Sequence, residues 1–512
     1  MVGLILFIIA ALAVAGCLGY LLYLTISLVR SPMFEVNYQK TLQKYAIFAG
    51  GFVLALVLLF VAIPLWNNWQ LAGWEWACVI IGALFTGVLG VVSLETFILH
   101  YYGKNLPAKL DKWLFIILMV AFPLLFVFIF VLSDGYALHL TYPLINGISF
   151  TGGVPTPETG GANLTFYALC ILTGAIYAYL ISDHKFYIQY GKHGILESTF
   201  IVAFPAGILG ARIFYVIGNW HEFASNPVSM FYIWQGGLTI LGGAIVGIVA
   251  GVAWFMWRNK GYNIWLAVDI IVPTILLAQA VGRWGNFFNC EVHGTLADEN
   301  AWRWLPLVVF KNAHFSSTSG WAPEGQLYVP LFFIESLVNM LGFFVLSHVF
   351  GKALRKHTEL GDIAFGYLIW YGLTRTLMEP LRDSAYNMGT NGYWSWFWSM
   401  IFMIVGTLLI VGNHTIHRIK KKKEGTFVVK NSALSSSIIE SIVLFSLGLA
   451  LMIVGVLLMG GFSFTPEISF NPYNVGIILL VIGACHLLAL AITIPNLVDA
   501  IIDSKPKKNE QV

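Results

Sequence analysis

The sequence predicts an all-α polytopic membrane protein with about thirteen transmembrane helices. The chain has 512 residues, of which 58% are hydrophobic and only 10% are charged, and its mean hydropathy is +0.79. Its apolar stretches repeatedly reach the ~20 residues that a helix needs to cross a bilayer. A helix satisfies its own backbone hydrogen bonds inside lipid, so such stretches predict transmembrane helices.

The apolar stretches follow one another along the whole chain. They cover residues 2–28, 45–65, 76–99, 113–133, 163–182, 197–218, 237–257, 264–281, 330–350, 362–378, 394–412, 438–460 and 474–495. The first has no basic leader, so we interpret it as a spanning anchor and not as a cleaved signal peptide. The five cysteines are scattered and show neither a metal-binding spacing nor a disulfide framework.

The connectors between these stretches alternate in charge. Connectors 66–75, 134–162, 219–236 and 461–473 contain no Lys or Arg, whereas the intervening connectors are basic. The positive-inside rule then predicts that the N-terminus lies outside and the C-terminus in the cytoplasm. Within this topology the run Lys420–Lys423 is expected to orient the chain and contact anionic lipid.

Two connectors are candidate region boundaries. Residues 134–162 contain paired glycines and prolines, and residues 424–437 contain four serines. We therefore expect an extra four-helix membrane region at 1–150 and a seven-helix core at 151–423. A linker with two extra membrane helices is expected at 424–512.

Six basic residues are exceptions to the positive-inside rule, because the predicted topology puts them on the outer side. They are Arg212, Arg283, Arg303, Lys311, Arg375 and Arg382. Since these charges do not set orientation, we expect them to serve an anionic partner, and lipid phosphate is the abundant anion there.

The segment from Gly282 to Gly294 concentrates polar residues at the outer end of one stretch. Arg283 presents a planar fork of donors that suits phosphate oxygens. Asn286 and Asn289 can donate to hydroxyl or ester oxygens, and Glu291 can hold an arginine or accept a proton. The alternative is a polar plug whose members satisfy one another and pin the helices together.

Three other segments offer polar or glycine-rich positions, each with a structural alternative. Arg212 and Tyr215 share a helix face, but both suit an interfacial anchor. The pairs Gly236-Gly237 and Gly242-Gly243 permit either ligand approach or close helix packing. Arg375 can pair with Glu379 four residues later, and Arg382 adds charge. Glu335, near an outer helix end, needs a partner.

These residues resemble a known family. The run from Ala278 to Asn289, followed by Glu291 and His293-Gly294, is similar to the signature of the bacterial prolipoprotein diacylglyceryl transferase family in its Gram-positive form. Four further segments resemble the family in the same order along the chain, over about residues 163–418. They are Gly210–Tyr215, Gly236–Gly243, Pro330–Ser336 and Tyr367–Arg382.

The chain departs from the family pattern at several positions. Leu241 stands where the family commonly carries histidine or tyrosine, so a base at that position cannot operate here. Val329 and Ile334 stand where a histidine and a tyrosine are usual, and Cys290 replaces a commoner glycine or glutamine.

The resemblance implies an enzyme that moves the diacylglyceryl group of phosphatidylglycerol onto the lipobox cysteine of a preprolipoprotein. Arg283 and Arg375 would clamp the phosphate with Arg212 assisting, and His293, Glu291 or Glu379 would accept the thiol proton. The remaining family positions would bind the substrates: Tyr215, Gly236, Gly237, Asn286, Asn289, Gly294 and Arg382. The expected location is the bacterial plasma membrane, with other membrane lipids as contacts. No cofactor, metal or nucleic acid is implied.

Two other function classes remain open at this stage. A polytopic lipid or solute transporter would place polar groups near the membrane midplane and show inverted repeats. Here the polar residues gather at outer helix ends, and no internal repeat is evident in the sequence. A catalytically inactive scaffold of the same fold is the second alternative, and Leu241 motivates it.

Overall fold

The structure, a computed structural model, is built almost entirely of α-helices. It describes residues 2–30, 36–66, 68, 73–102, 108–137, 166–224, 226–231, 237–288, 292–303, 314–316, 320–321, 326–383, 393–427, 433–459 and 472–504. Within these residues, one long helix lies over each predicted span. The long helices are α1 (Val2–Arg30), α2 (Val36–Trp66), α3 (Gly73–Tyr102), α4 (Ala108–Ala137), α5 (Phe166–Tyr190), α6 (Glu197–Gly218), α8 (Ile240–Arg258), α9 (Ile264–Phe288), α11 (Leu331–Phe344), α12 (Asp362–Met378), α13 (Tyr393–Lys423), α14 (Ala433–Met459) and α15 (Pro472–Ser504).

Shorter elements connect these helices. They are α7 (Trp220–Phe223), α10 (Glu299–Trp302), the 3₁₀ turns Pro227–Phe231, Arg355–His357 and Glu379–Leu381, the π-helical segment Val345–Ala353 that continues α11, and the strands β1 (His314–Ser316), β2 (Gly320–Trp321) and β3 (Gln326–Leu327). β1 pairs antiparallel with β3, with His314 opposite Leu327.

The all-α polytopic class is confirmed. Within the described residues, nine helices are long and apolar enough to cross a membrane by length and composition. Their outward faces carry large apolar side chains, such as Ile439, Ile442 and Val443 on α14, and a bilayer would cover such faces. The predicted spans at α4, α5, α8 and α12 stay predictions.

One packing unit comprises the described residues within 1–173, 186–254 and 316–322. In it α1 pairs with α2 and α3 with α4. Helices α6 and α8 approach closely through glycines, because a Cβ added at Gly210 would lie 2.7 Å from the carbonyl oxygen of Gly242. Of the two interpretations of the Gly242-Gly243 pair, the structure therefore favours helix packing.

The second unit comprises the described residues within 174–185, 255–315 and 323–512. Helix α9 packs against α11 and α12, α12 packs against α13, and α15 packs against both α13 and α14. The Asp269 carboxylate of α9 accepts hydrogen bonds from the backbone N–H groups of Gly361 and Ala364 at 2.8 and 3.1 Å. These bonds satisfy donors that the first turn of α12 would otherwise leave unpaired, and they tie that helix to α9.

Two predicted boundaries differ from the structure. Helix α9 runs to Phe288, so most of the polar segment that begins at Gly282 forms its last two turns. The prediction that 424–437 is a linker is wrong for residues 433–437, because α14 begins at Ala433. Serine is only mildly unfavourable in a helix, and Ser437 is buried, so packing outweighs local composition. The division into three regions stays a prediction.

Candidate active site

Three helix ends of the second unit bring five charged residues together. Arg283 lies in the last two turns of α9, Glu335 in the first two turns of α11, and Arg375 in the last turn of α12. Glu379 and Arg382 follow directly in and after the 3₁₀ turn beyond α12. Because α9 packs against both α11 and α12, residues that are distant in sequence meet at one end of these helices.

The five residues form a chain in which arginines and glutamates alternate. Arg382 lies at its centre. Glu335 joins it to Arg283: one Glu335 carboxylate oxygen is 2.6 Å from Nε of Arg283, and the other is 3.1 Å from Nη2 of Arg382. The Glu379 Oε2 atom is 3.8 Å from Nε of Arg382 and 3.3 Å from Nε of Arg375. Three guanidinium groups thus face two carboxylates, which leaves one net positive charge.

Burial differs along this chain of ion pairs. The side chains of Arg382, Glu335 and Glu379 are 6%, 8% and 3% exposed, whereas those of Arg283 and Arg375 are 27% and 16% exposed. Burial, reinforced by the nearby Arg375 guanidinium, lowers the pKa of Arg382, although arginine remains protonated in proteins. The three inner members, Glu335, Arg382 and Glu379, are therefore enclosed by their neighbours. The two end arginines are the ones accessible to a ligand.

Two polar neighbours orient the end arginines. Nη1 of Arg283 donates to the side-chain oxygen of Asn286, one helical turn further on, at 3.4 Å. Nε of Arg375 donates to the hydroxyl of Ser395 at 3.0 Å. The sequence did not point to Ser395, because it lies 20 residues from Arg375 among tryptophans that indicate only an interfacial helix end. Glu335, which the sequence marked as needing a partner, has two.

The His293-Gly294 segment packs beside this group of residues. Gly294 forms a β-bridge with Arg382, and its N–H donates to the Val329 carbonyl at 2.9 Å. A Cβ added at Gly294 would lie 2.5 Å from the Val329 Cβ atom, so this close approach requires glycine. The His293 ring lies 4.6 Å from that of Tyr328, and its Nδ1 is 3.0 Å from the Gly294 carbonyl oxygen.

Arg212 and Tyr215 occupy a second polar site, in the other unit. Three Arg212 nitrogens donate to backbone carbonyls, those of Met230, Ser229 and Gly237, at 2.8, 2.8 and 3.1 Å. Its guanidinium also lies 5.7 Å from the Tyr215 ring. Since a guanidinium has five N–H donors, most of this group holds the 227–231 turn and Gly237. The predicted assistance to phosphate binding stays a prediction.

Gly237 explains part of that arrangement. Its φ is +69°, and an added Cβ would lie 2.6 Å from Nη1 of Arg212 and 2.7 Å from the Tyr215 ring. Gly236, Asn289 and Glu291, also predicted as site residues, lie outside the described residues, as does the side chain of Leu241.

Comparison with known proteins gives a consistent match over the same part of the chain. Residues 158–412 match the family model described as prolipoprotein diacylglyceryl transferase. A phosphatidylglycerol–prolipoprotein diacylglyceryl transferase from Streptococcus suis strain 05ZYH33 is 34% identical over 255 residues, which cover 50% of this chain and 90% of the relative.

Two other relatives of the same name agree. The protein from Clostridium novyi strain NT is 34% identical over 254 residues, which are 50% of this chain and 93% of the relative. The protein from Staphylococcus aureus strain Newman is 32% identical over 258 residues, 49% of this chain and 86% of the relative. Since nearly the whole length of these relatives is matched, the chain belongs to the prolipoprotein diacylglyceryl transferase family.

Proposed function

We propose that this protein transfers the diacylglyceryl group of phosphatidylglycerol to the lipobox cysteine of preprolipoproteins. The cysteine sulfur attacks the carbon of the diacylglyceryl unit that carries the phosphate ester. A carbon–sulfur bond forms, the carbon–oxygen bond to phosphate breaks, and glycerol phosphate leaves with the electron pair. The thiol proton passes to a base, so the product is a thioether.

The observation that carries this proposal is the chain of ion pairs with one net positive charge and an accessible arginine at each end. A phosphodiester brings one negative charge, which matches that surplus. As the carbon–oxygen bond breaks, the leaving phosphate gains further negative charge. Guanidinium groups already oriented by Glu335 and Glu379 stabilise that charge more in the transition state than in the bound lipid.

We assign His293 as the acceptor of the thiol proton. A carbonyl oxygen only accepts, so the 3.0 Å contact with Gly294 puts the proton of neutral His293 on Nδ1, and Nε2 would be the nitrogen that takes up the thiol proton. The Glu379 carboxylate instead contacts two guanidinium groups. Glu291 remains the alternative base, whereas the pH–rate profiles of His293→Ala and Glu379→Gln distinguish His293 from Glu379.

The other family positions are proposed to position substrate. Asn286, which is buried beside Arg283, would orient an ester or hydroxyl oxygen of the lipid. Arg382, which lies between Glu335 and Glu379, would hold both carboxylates in place through its ion pairs. The site is proposed to face the outer leaflet of the bacterial plasma membrane, with the C-terminus in the cytoplasm, because connector charge favours this orientation.

A direct transfer assay tests the proposal. The full-length protein, purified in detergent, is mixed with phosphatidylglycerol and a synthetic lipobox peptide. Mass spectrometry is expected to detect a peptide heavier by one diacylglyceryl group and, in equal amount, glycerol phosphate. Failure of the folded wild-type protein to modify the peptide would favour the inactive scaffold or the transporter.

A matched pair of variants links activity to the site. Arg283→Ala removes an end of the chain of ion pairs, whereas Arg258→Ala removes an exposed arginine in the last turn of α8. Only Arg283→Ala is expected to abolish transfer. Equal losses in both variants would mean that general surface charge, and not this site, supports the reaction.

A further inference from the structure

A cluster of two histidines and one aspartate lies outside the set of residues assigned to the proposed reaction. His100 is in the last turn of α3, Asp111 in the first turn of α4, and His193 between α5 and α6. His100 and Asp111 are 11 residues apart, and His193 follows after a further 82. This spacing does not form a recognisable metal-binding motif. All three lie among the lysine-rich connectors, at the helix ends opposite to the outer arginines in the predicted topology.

The geometry brings one ligand atom of each residue together. Nδ1 of His100 is 2.7 Å from Oδ1 of Asp111, and the ligand atoms of all three residues lie within 4.8 Å of one another. A tetrahedral zinc ion with metal–ligand distances of about 2.0–2.2 Å separates its ligands by roughly 3.4 Å. Side-chain movements of about 1 Å would therefore bring the three ligand atoms to the separations that a bound ion requires.

The surroundings hold the three side chains in place. His100 is 1% exposed and Asp111 is 8% exposed, so a cation here would be surrounded by ligands and largely sheltered from solvent. The His193 ring stacks on Tyr187 at 3.8 Å and meets the His100 ring edge at 4.5 Å. Two imidazoles and one carboxylate form a donor set that suits Zn²⁺ and neighbouring divalent transition metals.

We propose that His100, Asp111 and His193 form a binding site for a divalent transition metal, with Zn²⁺ as the reference ion. His100 and Asp111 belong to the helices that precede the family match at 158–412, whereas His193 lies within that match. The ion therefore links the N-terminal extra helices to the family region and stabilises their association. This role is structural and separate from the proposed transfer reaction.

Metal content and cobalt spectroscopy test the site. The full-length protein, with any histidine tag removed, is stripped with a chelator and titrated with Zn²⁺ and separately with Co²⁺ at neutral pH. We expect binding of about one Zn²⁺ per chain, and we expect bound Co²⁺ to show the visible absorption bands of a site with a low coordination number. Zn²⁺ is also expected to raise the thermal unfolding temperature, because a ligand of the native state stabilises it.

The deciding variants are His193→Ala and Asp111→Asn, because the fully buried His100 is the position whose replacement most endangers folding. Loss of an outer-shell partner alone costs 10–100-fold in metal affinity, so loss of a ligand is expected to cost at least about 100-fold. His221→Ala, an exposed histidine in α7 of the same unit, is the control and is expected to bind normally.

Two results would overturn the site. One is a wild-type protein that binds no more Zn²⁺ than His193→Ala and gives no cobalt spectrum. The other is equal affinity in the wild type and both ligand variants, provided that each elutes as a folded species. Either result would reduce the cluster to a His100–Asp111 ion pair with an aromatic neighbour.

Discussion

Glu335 and Arg382 form a buried ion pair, 3.1 Å between Oε1 and Nη2, that joins the start of α11 to the chain just beyond α12. The second oxygen of the same carboxylate holds Arg283 of α9 at 2.6 Å. One side chain therefore sets the separation of the Arg283 and Arg382 guanidinium groups.

Replacing Glu335 by Gln tests this relationship. The substitution keeps the size but leaves two guanidinium groups without their shared carboxylate, and breaking a buried pair costs about 3–5 kcal/mol. We expect a lower thermal stability and a reduced kcat/KM for transfer. Glu299→Gln, which alters an exposed glutamate 3.6 Å from His314, is the control. Unfolding curves that superimpose on the wild type would contradict the central role of Glu335.

Arg283 is expected to matter for catalysis more than for folding, because its side chain is the most exposed of the three arginines. Removing one donor to a developing oxyanion typically costs about 10²–10³ in rate. We therefore expect Arg283→Ala to lose at least that much transfer activity while it still inserts into the membrane. Arg283→Lys keeps the charge but loses the fork of donors, and recovery of full activity in it would argue against bidentate phosphate binding.

Gly294→Ala tests the packing beside the site. Its added Cβ would lie 2.5 Å from the Cβ of Val329 and 2.6 Å from the carbonyl oxygen of Leu381. Overpacking of this kind costs about 1–3 kcal/mol, so the melting temperature should fall. Gly412→Ala meets nothing within 4 Å on α13 and is expected to be neutral or slightly stabilising. Similar melting temperatures for the two variants would show that residues 294 and 329 do not pack this closely.

Gly237→Ala separates backbone strain from contact with Arg212. Gly237 and Gly425 have φ values of +69° and +66°, but only the first would bring a new Cβ within 2.6 Å of Arg212. Both alanine variants carry a strain of about 1–2 kcal/mol, and the additional loss in Gly237→Ala reports the displaced guanidinium. If Arg212 assists the reaction, Gly237→Ala should also slow transfer, whereas Gly425→Ala should not. Equal stabilities of the two variants would mean that the Arg212 contact contributes nothing measurable to the free energy of unfolding.

The assignment of His293 predicts a particular pH dependence. Without a base, the reaction needs a thiol that is already ionised, and a cysteine thiol has a pKa near 8.5. Since the thiolate fraction rises with pH, His293→Ala should lose about 10²–10⁴ in rate near neutrality and recover progressively as pH rises towards 9. Glu379→Gln should not recover, because its defect is a misplaced arginine. Parallel pH–rate profiles for the two variants would remove His293 as the base.

The particular residues differ in how far the sequence could predict them. Arg375 and Glu379 are four apart on a helix, so their contact follows from local geometry, and the structure has them at 3.3 Å. The partner of Glu335 could not be found in this way. Its two arginines lie 52 residues before it and 47 residues after it, and nothing in spacing connects them.

The sequence by itself determined the helical class, the approximate spans and the concentration of polar groups at one set of helix ends. It could do so because lipid imposes length and hydropathy on every spanning helix separately. Only the tertiary structure decided which charges meet: the alternation through Glu335 and Glu379, the bond from Arg375 to Ser395 and the cluster around His100. Such contacts depend on how distant helices pack, and packing is a property of the folded chain that no single segment encodes.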